Sequence, residues 1–252
     1  MLLLHGSGPG TTGAGSWGTT VEALADRFRL VAPDQAGFGG TPLAPGSRGG
    51  LAAWTESAAG LMAALGLDRY AVVGHSMGGA VALAVAAAHP DRVTHVVGVS
   101  AMGAPGAPLS PDLDALWAAP PGPEGARDML RRLVLDDALV TDEAVAARAR
   151  AMEAGSEQFA RLFPPPRQRW NDDLALTPAA LAAVRAPVLL VSGAQDRVTP
   201  VRETALPLLE ALPDARLHVL GRCGHAPVVE QPTETRRLLT DFLSRAGTPA
   251  RA

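Results

Sequence analysis

A pentapeptide in the first third of the chain has the residue types of nucleophilic catalysis. The sequence G-H-S-M-G occupies residues 74–78, after an apolar run at 70–73 and before an Ala/Val-rich run at 79–88. These runs predict a buried strand followed at once by a helix, the context in which G-x-S-x-G forms a sharp turn that exposes the serine oxygen. Ser76 is therefore the candidate nucleophile, and a Gly-rich turn without chemistry is the alternative.

A serine hydroxyl needs a base within about 3 Å and a third group that orients this base. Among the six histidines, His225 lies on a loop just after the last predicted strand. His75 is next to Ser76, and the sharp turn should point its ring away. The other four lie at a helix end, within predicted strands or at the start of a loop: His89, His95, His218 and His5. His225 is the candidate base, and a solvent-facing loop histidine is the alternative.

The candidate acid is Asp196. It follows the apolar run at 187–191 and precedes a predicted helix, and the interval up to His225 accommodates one helix and one strand. Two alternatives stay open. Asp34, in a Gly/Pro-rich loop at 34–50, could be the acid or only form a turn. Asp196 could also be a simple charge at a helix N-terminus.

The groups that would stabilise an oxyanion are backbone N–H groups at two turns. Met77 opens the helix after Ser76, and Ser7 lies in the loop H-G-S-G-P-G at residues 5–10, where its hydroxyl could be a further donor. Each missing donor would cost about 3 kcal/mol of transition-state stabilisation. Such chemistry needs no cofactor, and we expect no metal because the chain has no Cys/His cluster at zinc spacing.

Strand and helix patterns alternate over most of the chain. Strands are predicted at residues 2–4, 30–32, 70–73, 93–99, 187–191 and 216–220, and the last two helices at 201–212 and 233–245. The alternation predicts an α/β fold with a mostly parallel sheet and helices on both faces. Ligands of such sheets bind beyond the carboxyl ends of the strands, where Ser7, Ser76, Asp196 and His225 all lie.

The stretch at 101–185 breaks this alternation. It has no strand-like run, and its predicted helices at 127–135, 141–152 and 156–162 are divided by Pro and Gly clusters. We therefore predict a core domain formed by residues 1–100 and 186–252, with a helical cap inserted at 101–185. The tail at 246–252 should be frayed.

Composition argues against several classes of protein. The 252 residues are 47% hydrophobic with a net charge of −3, which indicates a globular protein without a basic surface for nucleic acid or an anionic membrane. The single cysteine, Cys223, cannot form an internal disulfide, and the apolar run at 1–4 is too short for a signal peptide or a membrane span. We expect a cytoplasmic protein that acts on a small molecule.

The order of these motifs resembles that of a known family. H-G-S-G-P-G, P-D-x-x-G-F-G, G-x-S-M-G-G, a helical insertion, G-x-x-D and C-G-H follow one another through nearly the whole chain. This order is similar to that of the α/β-hydrolases, including the sequence order Ser, Asp, His. More narrowly, the chain resembles the meta-cleavage product hydrolases of aromatic degradation, which split a carbon–carbon bond of vinylogous 1,5-diketones such as 2-hydroxymuconic semialdehyde. Residues 7–10, 163–170, Arg148 and Cys223 carry the narrower resemblance.

The resemblance also implies a substrate site. The family's cap arginine, which grips the substrate carboxylate, corresponds to Arg148, and a guanidinium can bind a carboxylate through two parallel hydrogen bonds. A solvated helix arginine is the alternative. Further substrate contacts are implied for Gly8, His75, Cys223 and Trp170, although Cys223 could equally be a packing residue.

The chain departs from the family's pattern in four places. It has His75 where the family usually has Asn, Ala226 where it has Trp, and Ala149 where an aromatic is common, so the pocket should be wider. Relatives also normally carry two strands before the run at 2–4, which indicates a mis-assigned start or a fragment that lacks the first two strands. The sheet should then end at 30–32 with an uncovered edge. If the chain is complete, this edge should pair with another chain, as in a homo-oligomer, or reduce stability.

These observations predict a serine hydrolase that cleaves a carbon–carbon bond in a 2-hydroxy-6-oxo-dienoate. After the enol ketonises, either Ser76 or a water activated by His225 would attack the carbonyl. One alternative is a carboxylesterase or lactonase that acts on a small ester. Outside the enzymes, the alternative is a hydrolase-like ligand-binding receptor with a vestigial triad.

Overall fold

Five parallel strands form the sheet that positions the candidate residues. The structure is a computed structural model that describes residues 1–244. The strands are Leu2–Leu4 (β1), Tyr70–His75 (β2), Val93–Val99 (β3), Val188–Gly193 (β4) and Ala215–Leu220 (β5). They pair in parallel in the order β1-β2-β3-β4-β5. The α/β fold expected from the sequence is therefore confirmed.

Parallel strands need crossover connections, and helices supply most of these. Within residues 1–244 the helices are Gly13–Leu24 (α1), Leu51–Ala64 (α2), Met77–Ala88 (α3), Pro111–Trp117 (α4), Pro123–Leu133 (α5), Asp142–Leu162 (α6), Gln168–Leu174 (α7), Pro178–Ala182 (α8), Ala205–Ala211 (α9), Pro227–Glu230 (α10) and Pro232–Leu243 (α11). A short 3₁₀ helix at Asp137–Leu139 follows α5. None of the helices described is long and apolar enough to cross a membrane.

Both faces of the sheet are covered, because successive residues of a strand point to opposite faces. Leu4 of β1 belongs to a hydrophobic cluster that includes Met62 of α2, together with residues of α3 and of the 101–185 segment. Leu3 belongs to a second cluster that contains Trp17 of α1 and Phe242 of α11. The helices thus form a layer on each side of the sheet, as the sequence predicted.

The strand expected at 30–32 is wrong. Only Val31 pairs, in an isolated parallel bridge with Leu2 beside β1. The Leu3 N–H donates to the Val31 carbonyl at 2.8 Å, and the Val31 N–H donates to the Met1 carbonyl at 2.9 Å. Pro33 follows two residues later and has no N–H group, which limits further pairing.

Helices α4 to α8 lie within 101–185, and the structure describes no strand in that segment. The division into a core and a cap stays a prediction. The helices expected at 141–152 and 156–162 are wrong as separate elements, because α6 is continuous. Gly155 does not interrupt it, and a Cβ there would lie 3.1 Å from the backbone nitrogen of Gly10. Its lack of a side chain allows α6 to contact the loop at 5–10.

Three helices of this segment are absent from the sequence prediction. Two of them, α4 and α8, have capping signals: Ser110 and Thr177 each accept an N–H of the first turn, and each is followed by proline. The third, α7, has no side-chain cap. Near the end of the chain, α11 confirms the helix expected at 233–245, and α10, which precedes it, was not predicted. The tail at 246–252 lies outside the described residues.

Candidate active site

Ser76 lies at the turn between β2 and α3. Its backbone has φ 55° and ψ −119°, a strained conformation that residues with side chains rarely adopt. A Cβ at Gly74 would overlap the carbonyl of Gly78, so the turn requires glycine at position 74. The sharp strand-to-helix turn predicted from the pentapeptide is present, and Ser76 is 3% exposed.

The loop at residues 5–8 lies directly against this turn. A Cβ at Gly6 would be 3.1 Å from the Cβ of Ser76. The buried ring of His5 holds the loop: its Nε2 accepts the N–H of Gln35 at 2.9 Å, so the proton is on Nδ1, which donates to the Gly6 carbonyl at 2.8 Å. Burial lowers the pKa of His5, which keeps this ring neutral.

The two candidate oxyanion donors are free to bind a ligand. The backbone hydrogen bonds of the described residues leave the N–H of Ser7 and the N–H of Met77 without an acceptor. The Ser7 hydroxyl accepts a hydrogen bond from Trp117 Nε1 at 2.8 Å, so its own proton can be donated elsewhere. The sequence did not predict this contact, because Ser7 and Trp117 are far apart along the chain.

Asp196 and His225 form a buried pair at the carboxyl ends of β4 and β5. His225 Nδ1 lies 2.9 Å from Asp196 Oδ2, and the side chains are 2% and 0% exposed. Burial alone would raise the pKa of Asp196, but the charge and hydrogen bond of His225, with two hydrogen bonds from Thr199, lower it below the usual value. The carboxylate therefore fixes the His225 tautomer that leaves Nε2 unprotonated and able to accept a proton.

The structure gives no hydrogen bond between Ser76 Oγ and His225 among the described residues. The ring of His225 packs on that of His75, the residue before Ser76, with 4.8 Å between centroids. Hydrogen bonds of catalytic groups are often loose without substrate and tighten in the complex. The assignment of Ser76 and His225 as nucleophile and base stays a prediction.

Thr199 completes the surroundings of the acid, and sequence analysis missed it. Its hydroxyl donates to Asp196 Oδ2 at 2.8 Å and lies 3.2 Å from His225 Nδ1. The N–H groups of Val198 and Thr199 both donate to Asp196 Oδ1, at 2.8 and 2.9 Å. The only sequence signal is a threonine three residues after an aspartate at a turn, which is common and unspecific.

His75 does not point its ring away, so that expectation is wrong. The Nε2 of His75 lies 2.8 Å from the carbonyl oxygen of His225, to which it donates a hydrogen bond. Burial and the nearby His225 lower the pKa of His75 to about 3, so the ring is neutral and adds no like charge beside the base. His75 therefore contacts the loop that carries His225, the candidate base.

Arg148 lies on α6, half-buried, and makes no hydrogen bond or ion pair with any described residue. Burial lowers the pKa of its guanidinium from the usual value. Arg148, Met152 and Gly155 share one helix face because they are four and three residues apart. A Cβ at Gly10 would overlap the carbonyl of Ala151, so α6 touches the loop at 5–10 at this point.

The other implied substrate contacts differ in position. Gly8 lies beneath the insertion, since a Cβ there would be 2.7 Å from Met129 Cε, and it borders a cavity of about 180 Å³ between loop and α6. Trp170 donates its indole N–H to the Pro164 carbonyl at 2.7 Å, and Trp117 is the tryptophan that contacts Ser7. Cys223 is fully buried in the second hydrophobic cluster, and burial raises the pKa of its thiol to about 12. Its burial favours the packing role, and a substrate contact at Cys223 stays a prediction.

Asp34, the alternative acid, has a different task. Its two oxygens accept the N–H groups of Gly13 and Gly40 at 2.8 and 2.9 Å, which ties the start of α1 to the loop. It makes no contact with His225 in the described part of the chain. Within residues 1–244, no group of three or more His, Cys, Asp or Glu is arranged to hold a metal ion.

Comparisons with known proteins show the family of this chain. Residues 1–232 match the family model of the alpha/beta hydrolase fold. A 2-hydroxy-6-oxo-2,4-heptadienoate hydrolase of Pseudomonas putida F1 is 39% identical over 97% of this chain and 88% of its own. A 2-hydroxymuconate semialdehyde hydrolase of Pseudomonas sp. CF600 is 37% identical over 99% and 88%. The solved structure of a meta-cleavage product hydrolase from Pseudomonas fluorescens IP01 is similar with a TM-score of 0.91 at 35% identity, over 96% of this chain and 89% of that one.

Proposed function

The chain belongs to the α/β-hydrolase family, and from this premise we propose that it is a serine hydrolase that cleaves a carbon–carbon bond in a 2-hydroxy-6-oxo-dienoate. The observation that carries the proposal is the buried pair of Asp196 and His225 beside a strained Ser76. Ser76 is the nucleophile, His225 the base and then the acid, and Asp196 orients it. The N–H groups of Ser7 and Met77 hold the oxyanion.

Arg148 supports a substrate with a carboxylate. Removing water from a guanidinium costs free energy unless the group gains a new hydrogen-bond or ion-pair partner. An anionic ligand would be such a partner. The face of α6 that carries Arg148 contacts the loop of Ser7 through Gly10 and Gly155. Segment 101–185 then acts as a cap that binds one end of the substrate, while the sheet supplies the groups that react with the other.

The relatives' names support the same substrate class. Hydrolases of 2-hydroxy-6-oxo-2,4-heptadienoate and of 2-hydroxymuconate semialdehyde match nearly the whole chain. Both names describe a carboxylate at one end and a carbonyl at the other, which fits a site with a cation, Arg148, and a separate candidate nucleophile, Ser76.

The proposed reaction adds water across the bond between C5 and C6 of the substrate. The enol proton first moves to C5, which gives a 2,6-diketone. Ser76 loses its proton to His225 and attacks the C6 carbonyl, and the resulting oxyanion is bound by two N–H groups. The C6 carbonyl then re-forms as the C5–C6 bond breaks, and the electron pair of that bond moves through the C3=C4 double bond to the C2 oxygen. His225 returns its proton to this dienolate, which leaves as a 2-hydroxydienoate. Water releases the acyl group from Ser76 as a carboxylic acid.

A comparison of two substrates tests the proposal. We expect the protein to remove the visible absorbance of a 2-hydroxy-6-oxo-dienoate faster than it cleaves p-nitrophenyl acetate. Ser76→Ala should abolish both reactions, since both need the nucleophile. The opposite ranking of substrates would favour a carboxylesterase or lactonase. Retained turnover by Ser76→Ala would rule out the nucleophile, and no turnover of either substrate by the unmodified protein would contradict the enzyme proposed here.

A further inference from the structure

Glu230, the last residue of α10, binds the backbone on both sides of His225. Its Oε1 accepts the N–H of Gly224 at 2.8 Å and that of Ala226 at 3.3 Å. Its Oε2 accepts the N–H of Leu135 at 2.7 Å, in the segment that follows α5. One carboxylate therefore joins the loop of the candidate base to the helical insertion.

A second hydrogen bond joins the same two segments. The N–H of His225 itself donates to the carbonyl of Leu133 at 2.8 Å. Gly224 makes the approach possible, because a Cβ there would lie 3.1 Å from Glu230 Oε1, from the Leu133 oxygen and from the Leu135 nitrogen. We call Glu230 with residues 133–135 and 224–226 the clasp.

The chemistry of the clasp favours a carboxylate at position 230. An ionised carboxylate only accepts hydrogen bonds, and its bonds to N–H groups are stronger than those between neutral groups. Both oxygens of Glu230 are used, and among the described residues no arginine, lysine or histidine pairs with it. Its polar contacts here are three backbone N–H groups and the thiol of Cys223, 3.7 Å from Oε1.

We propose that Glu230 is a positioning residue for His225, and that residues 133–135 of the insertion take part in holding the base. This inference rests on the proposed role of His225 in catalysis. The three N–H groups that flank or belong to His225 are all bound within the clasp. Loss of these bonds would let the imidazole move, and a displacement of about 1 Å in a catalytic group can reduce the rate about 100-fold. The insertion thus affects the chemical step as well as substrate choice.

Glu230→Gln tests the clasp with little change of shape. An amide has one acceptor oxygen, so its NH₂ group must face either the Leu135 N–H or the N–H groups beside His225. We expect kcat for the dienoate to fall about 10- to 100-fold, with KM changed less than twofold. The low-field proton NMR signal of the His225 Nδ1–H should also shift or broaden, and this measurement needs no substrate. Glu234→Gln is the control, since Glu234 is an exposed carboxylate on α11 that bonds Arg237.

Leu135→Pro tests the clasp from the other side. It removes the N–H donor at an exposed residue, and the preceding Val134 has φ −115° and ψ 154°, which a following proline favours. We expect a smaller fall in kcat than for Glu230→Gln, with the same change in the NMR signal. Should Glu230→Gln fail to fold, this variant decides the question.

The two proposals fail in different ways. If the unmodified protein cleaves the dienoate, Ser76→Ala is inactive, and both clasp variants keep full kcat with an unchanged NMR signal, the positioning role is wrong and the proposed function stands. If the unmodified protein is inactive or Ser76→Ala is active, the proposed function is wrong. The NMR signal then still reports whether the clasp holds His225.

Discussion

The two halves of the candidate site differ in whether their charged groups have hydrogen-bond or ion-pair partners within the protein. On the sheet side, Asp196 receives hydrogen bonds from His225, Thr199 and Val198, and both members of its pair are buried. On the helical side, Arg148 is half-buried and has no partner in the described residues. Charged groups that already have hydrogen-bond partners suit a chemical step, because no rearrangement is needed when charge develops. A cation without a partner suits recognition, since an anionic ligand can supply that partner.

Asp196→Asn removes the buried charged pair on the sheet side, and of all the variants it should have the largest effect on activity. The amide can donate to His225 Nδ1, which favours the wrong tautomer and leaves no free base, so kcat should fall about 10⁴-fold. Steady-state kinetics on the dienoate measures this. Asp34→Asn is the matched control, since that carboxylate only ties backbone N–H groups at Gly13 and Gly40. A larger loss in the control would make Asp34 the acid.

Arg148→Ala would sharpen the comparison on the helical side. Loss of a charged hydrogen-bond partner should raise KM for the carboxylate substrate about 10- to 100-fold, with kcat changed much less. The KM for p-nitrophenyl acetate, which has no carboxylate, should stay the same. Arg150→Ala is the control, because Arg150 is exposed two residues along α6. Equal KM values for the two variants would make Arg148 a solvated helix residue.

His75→Asn tests the neutral ring that packs against His225 of the Asp196–His225 pair. The pKa of about 3 means that His75 stays unprotonated in the folded protein, whereas the unfolded chain takes up a proton below about pH 6.5. Stability is therefore lost as pH falls through this range. Urea titration at pH 7 and at pH 5 measures how much the free energy of unfolding falls between these pH values. We expect this fall to be about 1–2 kcal/mol smaller in the variant than in the unmodified protein. Equal losses would show that His75 titrates normally.

Cys223→Ala should have the smallest effect on activity. The thiol is buried in the second hydrophobic cluster, and its pKa of about 12 keeps it protonated. We expect KM within about twofold of the unmodified value and a loss of about 1 kcal/mol in stability. Native protein should also resist iodoacetamide at pH 8. A KM increase similar to that of Arg148→Ala would restore Cys223 as a substrate contact.

Local patterns in the sequence predicted much of this arrangement. The apolar runs predicted all five observed strands to within two residues of their bounds, and the turn types placed Ser76, Asp196 and His225 at the same edge of the sheet. Contacts between distant segments could not be predicted in this way. The bonds of Ser7 with Trp117, of His75 with the His225 carbonyl and of Glu230 with Leu135 each depend on packing of the insertion against the core.

The errors have the same physical origin. Gly155 is a helix breaker by propensity, yet α6 continues through it because Gly10 packs there and tertiary contact outweighs the local preference. Val31 has the residue type of a strand, but the proline that follows it limits pairing to one bridge. Sequence patterns describe an element by itself, whereas its bounds depend on the neighbour it packs against.

The close approach of Gly10 and Gly155 has a consequence for substrate selection. Because α6 meets the loop of Ser7 backbone against backbone, the helix cannot slide or tilt without a clash. If Arg148 binds the carboxylate and Ser76 attacks the carbonyl, as proposed, the fixed position of α6 selects substrates by the length of chain between these two groups. The part of the substrate beyond the carbonyl is not selected by this pair of glycines.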